Sequence, residues 1–375
     1  MKKQLLIVGG GVLGTMHAWR ALKAGYSVTQ LERDLVPVSA SVRNFGLVWV
    51  GGRKVGAELQ EALHARELWA ELAAENQAFV FRPNGSITIA RTQAEWKVME
   101  ESMLLPDATE RGWKLLNSKE VKEINPALGG NFIGGLHCSL DAAVEPNLAL
   151  ASIRQYLLSR GDYNWIPNTH VVEVADTASG VKVSSNDGRH FEADFAIVCP
   201  GADHSTLFGS ALEVAPIRKV RLQMMSTAPL DSQVTTSVAD GDSLRYYPAY
   251  DVPALKELPP QEPVAAQAAM QLLLVQRIDG TLTIGDTHEY QEPFDLAVRE
   301  PEYEYLAEVA ASILGRKLPP IVRRWAGVYS QRTDGAICER QMVGTNVLLV
   351  TGPGGRGNSL APAIAHHSLL EAGLL

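Results

Sequence analysis

The sequence predicts an α/β protein, with a discontinuous doubly wound sheet domain and a second domain of mixed β-sheet with helices. Three observations lead there. Short apolar, partly β-branched runs, the pattern of buried parallel strands, end in glycine turns at three distant places, after Val8, Val198 and Val350. The first and last of these turns open amphipathic or apolar helices. The intervening stretches carry hairpin and helix patterns of their own, and 375 residues exceed what one core usually serves.

Composition narrows the class. Apolar residues make up 46%, charged residues 20%, and the formal net charge is −8, as in an ordinary soluble globular protein. No basic run of five or more residues is present, so no nucleic-acid partner is expected. Cys138, Cys199 and Cys338 are widely spaced and form no CxxC or metal-ligand pattern, which fits a reducing cytoplasm. Lys2-Lys3 before Leu5–Val8 resembles a signal-peptide start, but the run meets three glycines and continues into a helix without a cleavage region. No uncharged apolar stretch reaches ~18 residues, so no membrane span is expected. His366-His367 lacks further ligands at usable spacing, so no metal is expected either. Nothing in the sequence assigns an oligomeric state.

The elements follow in order. Leu5–Val8 runs into Gly9-Gly10-Gly11-Val12-Leu13-Gly14, where Gly9, Gly11 and Gly14 have GxGxxG spacing. Such glycines serve a tight turn, the approach of a pyrophosphate, and helix-on-strand packing. The helix N-terminus offers N–H groups and a positive dipole end to phosphates. The helix continues to about Ala24 and stops at Gly25; a strand from Ser27 to Leu31 then ends at Glu32. That acid lies near the ~20-residue offset of a ribose-binding carboxylate. This fingerprint suits FAD and NAD alike.

Val347–Val350 leads into Thr351-Gly352-Pro353-Gly354-Gly355-Arg356-Gly357-Asn358-Ser359 and a further helix, again an anion-binding geometry. With a flavin its target would be the N1–C2=O edge, which becomes negative on reduction. Between the two lies Phe195–Ala202, a strand ending at Pro200-Gly201, after a hairpin from Val181 to Ala193 that turns at Asn186-Asp187-Gly188. Three junctions reaching one ligand imply a cofactor domain built from separated segments.

With these motifs the chain resembles the D-amino-acid oxidase, glycine oxidase and sarcosine oxidase family over its full length. The local forms RNFG (Arg43 to Gly46), GDTHEY (Gly285 to Tyr290) and WAGVYSQRTDG (Trp325 to Gly335) resemble a bacterial subgroup associated with aminophosphonate breakdown. The resemblance implies a Rossmann-like FAD domain from residues 1–50, 140–215 and 320–375, and a substrate domain from 51–139 and 216–319. It implies FAD held by Gly9, Gly11, Val12, Leu13, Gly14, Glu32, Arg33, Ser41, Arg43, Asn44, Phe45, Gly46, Val171, Pro200, Gly201, Gly354, Gly355, Arg356, Gly357, Asn358 and Ser359.

In the second domain, Ala57 to Ala74 reads as a helix, and Leu222–Ala228 and Leu244–Tyr247 read as strands. Pro248 to Pro263, with five prolines, reads as a loop able to serve as a lid. Leu272–Val275 and Leu282–Ile284 flank Asp279-Gly280 as a hairpin that delivers Gly285–Tyr290.

Flavin oxidation of an amine needs little acid–base machinery from the protein, which supplies position and charge. In glycine-oxidase-like relatives an arginine two residues beyond the WAG-type glycine clamps the substrate carboxylate; here that place holds Tyr329. Arg332 lies three residues on. The resulting candidates for holding substrate are Arg332, Tyr329, His288, Tyr247, Tyr246 and Arg53, with Arg43 nearer to cofactor. Each has a structural alternative: Arg332 an ion pair with Asp334 or Glu339, His288 a hydrogen-bonded hairpin end, and Tyr246 and Tyr247 opposite faces of one strand.

Sarcosine-oxidase-like relatives attach flavin through a cysteine near the WAG segment, where Gly327 and Tyr329 stand, so noncovalent FAD is expected. Thr283 stands where those relatives use an oxygen-activating lysine, leaving oxygen or another acceptor open. The expected function is FAD-dependent oxidation of a small amine bearing an acid group, such as a 2-aminoethylphosphonate derivative. The alternatives are a glycine, sarcosine or D-amino-acid oxidase, or the flavin subunit of an amino acid dehydrogenase assembly.

Overall fold

In a computed structural model that describes residues 2–375, the apolar run at the N-terminus forms the strand Gln4–Val8 near the middle of a six-stranded sheet. Its order is Glu339–Met342, Val347–Thr351, Phe195–Val198, Gln4–Val8, Ser27–Leu31, Tyr163–Ile166. All neighbours are parallel except the first pair. Leu5 and Ile7 bury against the helices Val12–Lys23 and Gly357–Glu371, while Leu6 and Val8 bury against Val171, Val181 and Val183. The sheet is thus apolar on both faces, with helices on one side. On the other lies an antiparallel meander, Val171–Thr177, Gly180–Ser185 and His190–Ala193.

A second sheet of eight strands runs Ile321–Arg332, Ile217–Thr227, Leu282–Gly285, Leu273–Gln276, Ser237–Ala239, Ser86–Ala90, Gly134–Cys138, Trp113–Asn117. Only Ser237–Ala239 with Ser86–Ala90 is a parallel pair. Period-2 alternation divides it: Leu222 and Met224 face Phe45 and Trp49, whereas Met225 and Ile284 pack under the helix Glu300–Leu314. A small sheet, Leu47–Val48, Ala142–Val144 and Phe81–Arg82, joins the two bodies.

Two elements sit in unexpected company. Helix Ala57–Glu75 packs beside Gly357–Glu371 in the core of the parallel sheet. Strand Ile321–Arg332 joins the eight-stranded sheet by pairing with Ile217–Thr227. The sequence also misleads at Leu244–Tyr247, which forms a short helix, Ser243–Tyr246, followed by a 3₁₀ turn, Pro248–Tyr250. Leu and Arg favour helix, nothing there is β-branched, and Asp240 Oδ1 accepts the Ser243 N–H at 3.3 Å to start the turn. The proline-rich stretch that follows is no free lid. Tyr250 stacks on Trp113 at 5.4 Å, the Ala254 N–H donates to Glu101 at 2.8 Å, and Val252, Ala254 and Leu258 are buried.

Candidate active site

A cavity of about 550 Å³ runs between the two sheets and is walled by all three glycine junctions. At the first, close packing excludes side chains. A Cβ on Gly14 would stand 2.0 Å from the Gly9 carbonyl oxygen, and one on Gly9, itself at φ +112°, 2.4 Å from that of Cys199. Ser41 Oγ accepts the Val12 N–H at 2.9 Å, leaving the first-turn N–H groups of Leu13 and Gly14 without intrahelical acceptors. Glu32 accepts N–H groups from Gly10 at 2.6 Å and Asp34 at 3.0 Å, which fixes its carboxylate in the cavity wall. Arg33 reaches Asp203 at 3.2 Å along the same wall.

Gly9, Gly11, Val12, Leu13, Gly14, Glu32, Arg33, Ser41, Arg43, Asn44, Phe45, Val171, Pro200, Gly201 and Gly354 through Ser359 all line this cavity. Gly46 does not. It has φ +69°, and its carbonyl accepts the Val144 N–H at 2.7 Å; a Cβ would lie 2.2 Å from the Val144 oxygen, so this glycine serves the small joining sheet. Arg43 spends its guanidinium on the Val38 carbonyl at 2.7 Å and the Ala326 carbonyl at 2.9 Å, tying the 38–43 turn to the strand above. Thr351 Oγ1 donates to the Gly201 carbonyl at 2.7 Å and locks two junctions together.

The C-terminal loop is held as firmly. Ser359 Oγ donates to the Leu47 carbonyl at 2.9 Å, accepts the Trp49 N–H at 2.9 Å, and meets Arg53 at 3.2 Å. Pro362 inside the helix has no N–H for the Asn358 carbonyl, and Trp69 Nε1 donates to that carbonyl instead, at 3.2 Å. Arg356 donates to Glu58 at 2.9 Å and to the Ala336 carbonyl at 2.7 Å.

Above that loop the cavity changes character. A Cβ on Gly355 would find the hydroxyls of Tyr329 and Tyr246 at 3.6 and 3.8 Å. Tyr246 stacks on His288 at 4.6 Å and Tyr247 on Trp49 at 5.5 Å, with the two phenols edge to face at 5.1 Å. Both tyrosines line the cavity: Tyr246 ends the short helix and Tyr247 turns into extended backbone, so the strict alternation of a strand does not separate them. Arg53 is buried; its Nε donates to the Trp49 carbonyl at 2.9 Å. The Asp141 carboxylate shapes that turn by accepting the N–H groups of Val50 at 2.6 Å and Gly51 at 2.9 Å. Burial pushes the Tyr247 phenol up, while Arg53 on one side lowers it and Asp286 on the other raises it.

Arg332 lines the cavity, but Asp334 and Glu339 take its whole guanidinium, so the ion-pair alternative holds. Thr283 is outside the lining and accepts from Arg277 at 2.8 Å. His367 pairs with Glu61 at 2.6 Å, away from the cavity. Among the described residues no group of three or more His, Cys, Asp or Glu is placed to hold a metal, and no helix is long and apolar enough to cross a membrane.

Sequence reasoning missed Trp49, Glu58, Gln271 and Asp286, all in the lining. Of these only Asp286 fell within a singled-out motif, GDTHEY. Among the described residues, five buried polar atoms of the lining lack hydrogen-bond partners: His170 Nε2 near the first glycine turn, and Trp49 Nε1, Gln271 Oε1, Asp286 Oδ1 and Tyr329 Oη at the far end. Buried polar groups are rarely left so. A closed glycine cradle at one end and unsatisfied polar atoms at the other fit a long dinucleotide with a small polar molecule above it.

Fold and cavity together define an FAD-dependent oxidoreductase. The chain belongs to the DAO family of FAD dependent oxidoreductases, whose model matches residues 4–368. One subunit of the opine oxidase of Rhizobium meliloti is 29% identical over 195 residues, 47% of this chain and 50% of that relative. The chain therefore spans about half the length of that relative. Glycine oxidase from Bacillus cereus ATCC 14579 shares the fold with a TM-score of 0.80 at 17% identity, covering 99% of this chain and 95% of that one. L-proline dehydrogenase from P. horikoshii does so with 0.79 at 19%, covering 99% and 94%. The cofactor is FAD.

Proposed function

We propose that the chain oxidises a small amino acid or N-substituted amino acid through noncovalently bound FAD. When bound, FAD accepts a hydride from the carbon beside the substrate nitrogen; the imine left behind is hydrolysed by water to an oxo compound and an amine or ammonia. The observation that carries this reading is Arg53. Its guanidinium is buried in the cavity wall beside Tyr247, and its Nη1 makes an ion pair with Glu58 at 3.8 Å, longer than a hydrogen bond. Donors on a desolvated guanidinium suit a carboxylate, with the phenols of Tyr246, Tyr247 and Tyr329 beside it. The glycine loop, Glu32 and the 354–359 turn would hold the cofactor.

A second reading, an amine bearing a phosphonate, is favoured by Tyr329 standing where relatives place a carboxylate-clamping arginine. Similarity to one subunit of an opine oxidase supports a partner subunit for this chain. The three free cysteines fit a cytoplasmic setting, and Cys138 is buried outside the cavity lining.

The test is the visible spectrum of the purified protein under anaerobic titration with glycine, sarcosine, proline, D-alanine and 2-aminoethylphosphonate. Bleaching of the flavin band by one of the amino acids supports the first reading. Bleaching by the phosphonate alone establishes the second, and a band that none of them bleaches overturns both. Acid precipitation should release the yellow chromophore into the supernatant, whereas retention in the pellet would mean a covalent bond.

A further inference from the structure

We propose that Asp286 is the base that removes the proton from the substrate's ammonium group before hydride departs, a role that rests on the amine-oxidising reading above. Asp286 follows directly on the strand Leu282–Gly285 and lines the cavity, with its side chain buried. Its two oxygens differ. Oδ2 lies 3.7 Å from His288 Nε2, whereas Oδ1 is buried with no hydrogen-bond partner. Burying a carboxylate oxygen without a partner is costly, and an incoming N–H on a cation is its strongest partner.

The neighbours give the proton somewhere to go. His288 Nδ1 faces the Ala269 carbonyl at 2.9 Å, so Nδ1 carries hydrogen and Nε2 is the nitrogen that faces Asp286. His288 stacks between Tyr246 and Tyr290, and Tyr290 lies at the half-exposed outer edge. The other groups facing this corner are the Tyr329 phenol, the Gln271 amide beside Tyr247 and Asp286, Arg53 beyond Tyr247, and Arg218 over the Tyr290 ring at 4.0 Å. Burial raises the Asp286 carboxyl and His288 lowers it, which suits a group that must both take a proton and release it.

The step balances. One N–H bond of the ammonium breaks and its electron pair stays on nitrogen, while an O–H bond forms on Asp286. An ion pair becomes a neutral amine and a neutral acid, the combination that a dry site favours. The freed lone pair then supports loss of hydride from the adjoining carbon. The proton passes from Asp286 to His288 Nε2 and outwards.

The experiment is the rate of anaerobic flavin reduction, divided by the substrate dissociation constant, from pH 6 to 10, with the best substrate from the titration. If Asp286 takes the proton, the wild-type profile stays nearly level well below the amine's own pKa of about 10. If neutral amine must come from solution, the profile falls tenfold per pH unit, and the proposal is overturned without any variant. Asp286→Asn should lose about 10²-fold or more at pH 7 and converge on wild type near pH 10, while Asp286→Glu keeps the level profile. A deficit in Asp286→Asn of the same size at every pH marks a merely structural residue and rejects the idea. A wild-type flavin that no amine reduces would instead reject the amine reading itself.

Discussion

Arg53 lies on a Gly-Gly turn that Asp141 holds from one side and Ser359 from the other. A lysine there keeps the charge but gives up the planar fork that reaches both the Trp49 carbonyl and Ser359 Oγ. Arg53→Lys is therefore expected to weaken binding of an acid-bearing substrate about tenfold, or ~1.4 kcal/mol, with a smaller change in the limiting reduction rate. The anaerobic titration reads both. Gly14→Ala is harsher, since its Cβ would stand 2.0 Å from the Gly9 oxygen; the variant should purify with little bound FAD, visible as lost absorbance. At this scale the glycine signature was legible because spacing alone encodes it. Glu58, Gln271, Trp49 and Asp286 were not, since each gains its meaning from neighbours far away along the chain.

Among the elements, Ser237–Ala239 ends at Asp240, whose Oδ1 accepts the Leu272 N–H at 3.1 Å while Oδ2 is buried without a partner. Burial pushes this carboxyl up to about 7. Between the ordinary carboxyl range and about 7, the folded protein keeps a proton that the unfolded chain has released, so stability falls as pH rises through that window. Asp240→Asn preserves the acceptor and places a donor at the orphaned position. It should melt close to wild type at pH 5 and higher at pH 8, by an amount on the order of 1–3 kcal/mol, as scanning calorimetry at the two pH values would show. Strands and long helices could be read from periodicity, including the second half of Ile217–Thr227, read as Leu222–Ala228, and nearly all of Ala57–Glu75. Residues 243–250 could not, because a two-residue aromatic pair between polar turns carries no period, and packing of Tyr250 on Trp113 and Tyr247 on Trp49 chose the helical path.

For the whole molecule, FAD binds folded protein and not the unfolded chain, so removing it must lower the melting temperature. At a hundredfold excess over its dissociation constant the ligand contributes about 2.7 kcal/mol, which for a chain of this size means a drop of roughly 3 °C. Dialysis against a chaotrope, followed by melting with and without added FAD, should show the drop and its reversal. The overall plan could be read from three strand-to-glycine junctions. The exchange of Ala57–Glu75 and Ile321–Arg332 between bodies could not, since it depends on which apolar face each element meets in space.

The central strand Gln4–Val8 pairs with Phe195–Val198, which in turn pairs with Val347–Thr351. During synthesis the ribosome delivers Gly9 early and Gly354 only after most of the chain has been made. At roughly 5–20 residues per second that interval is on the order of tens of seconds. Until then the pyrophosphate cradle waits beside an unfinished sheet, and once Phe195–Val198 has been made its edge stays open for its last partner. Cofactor capture is thus a closing event of biogenesis, because the turn at 354–359 that completes the cradle is the last of the three junctions to be made.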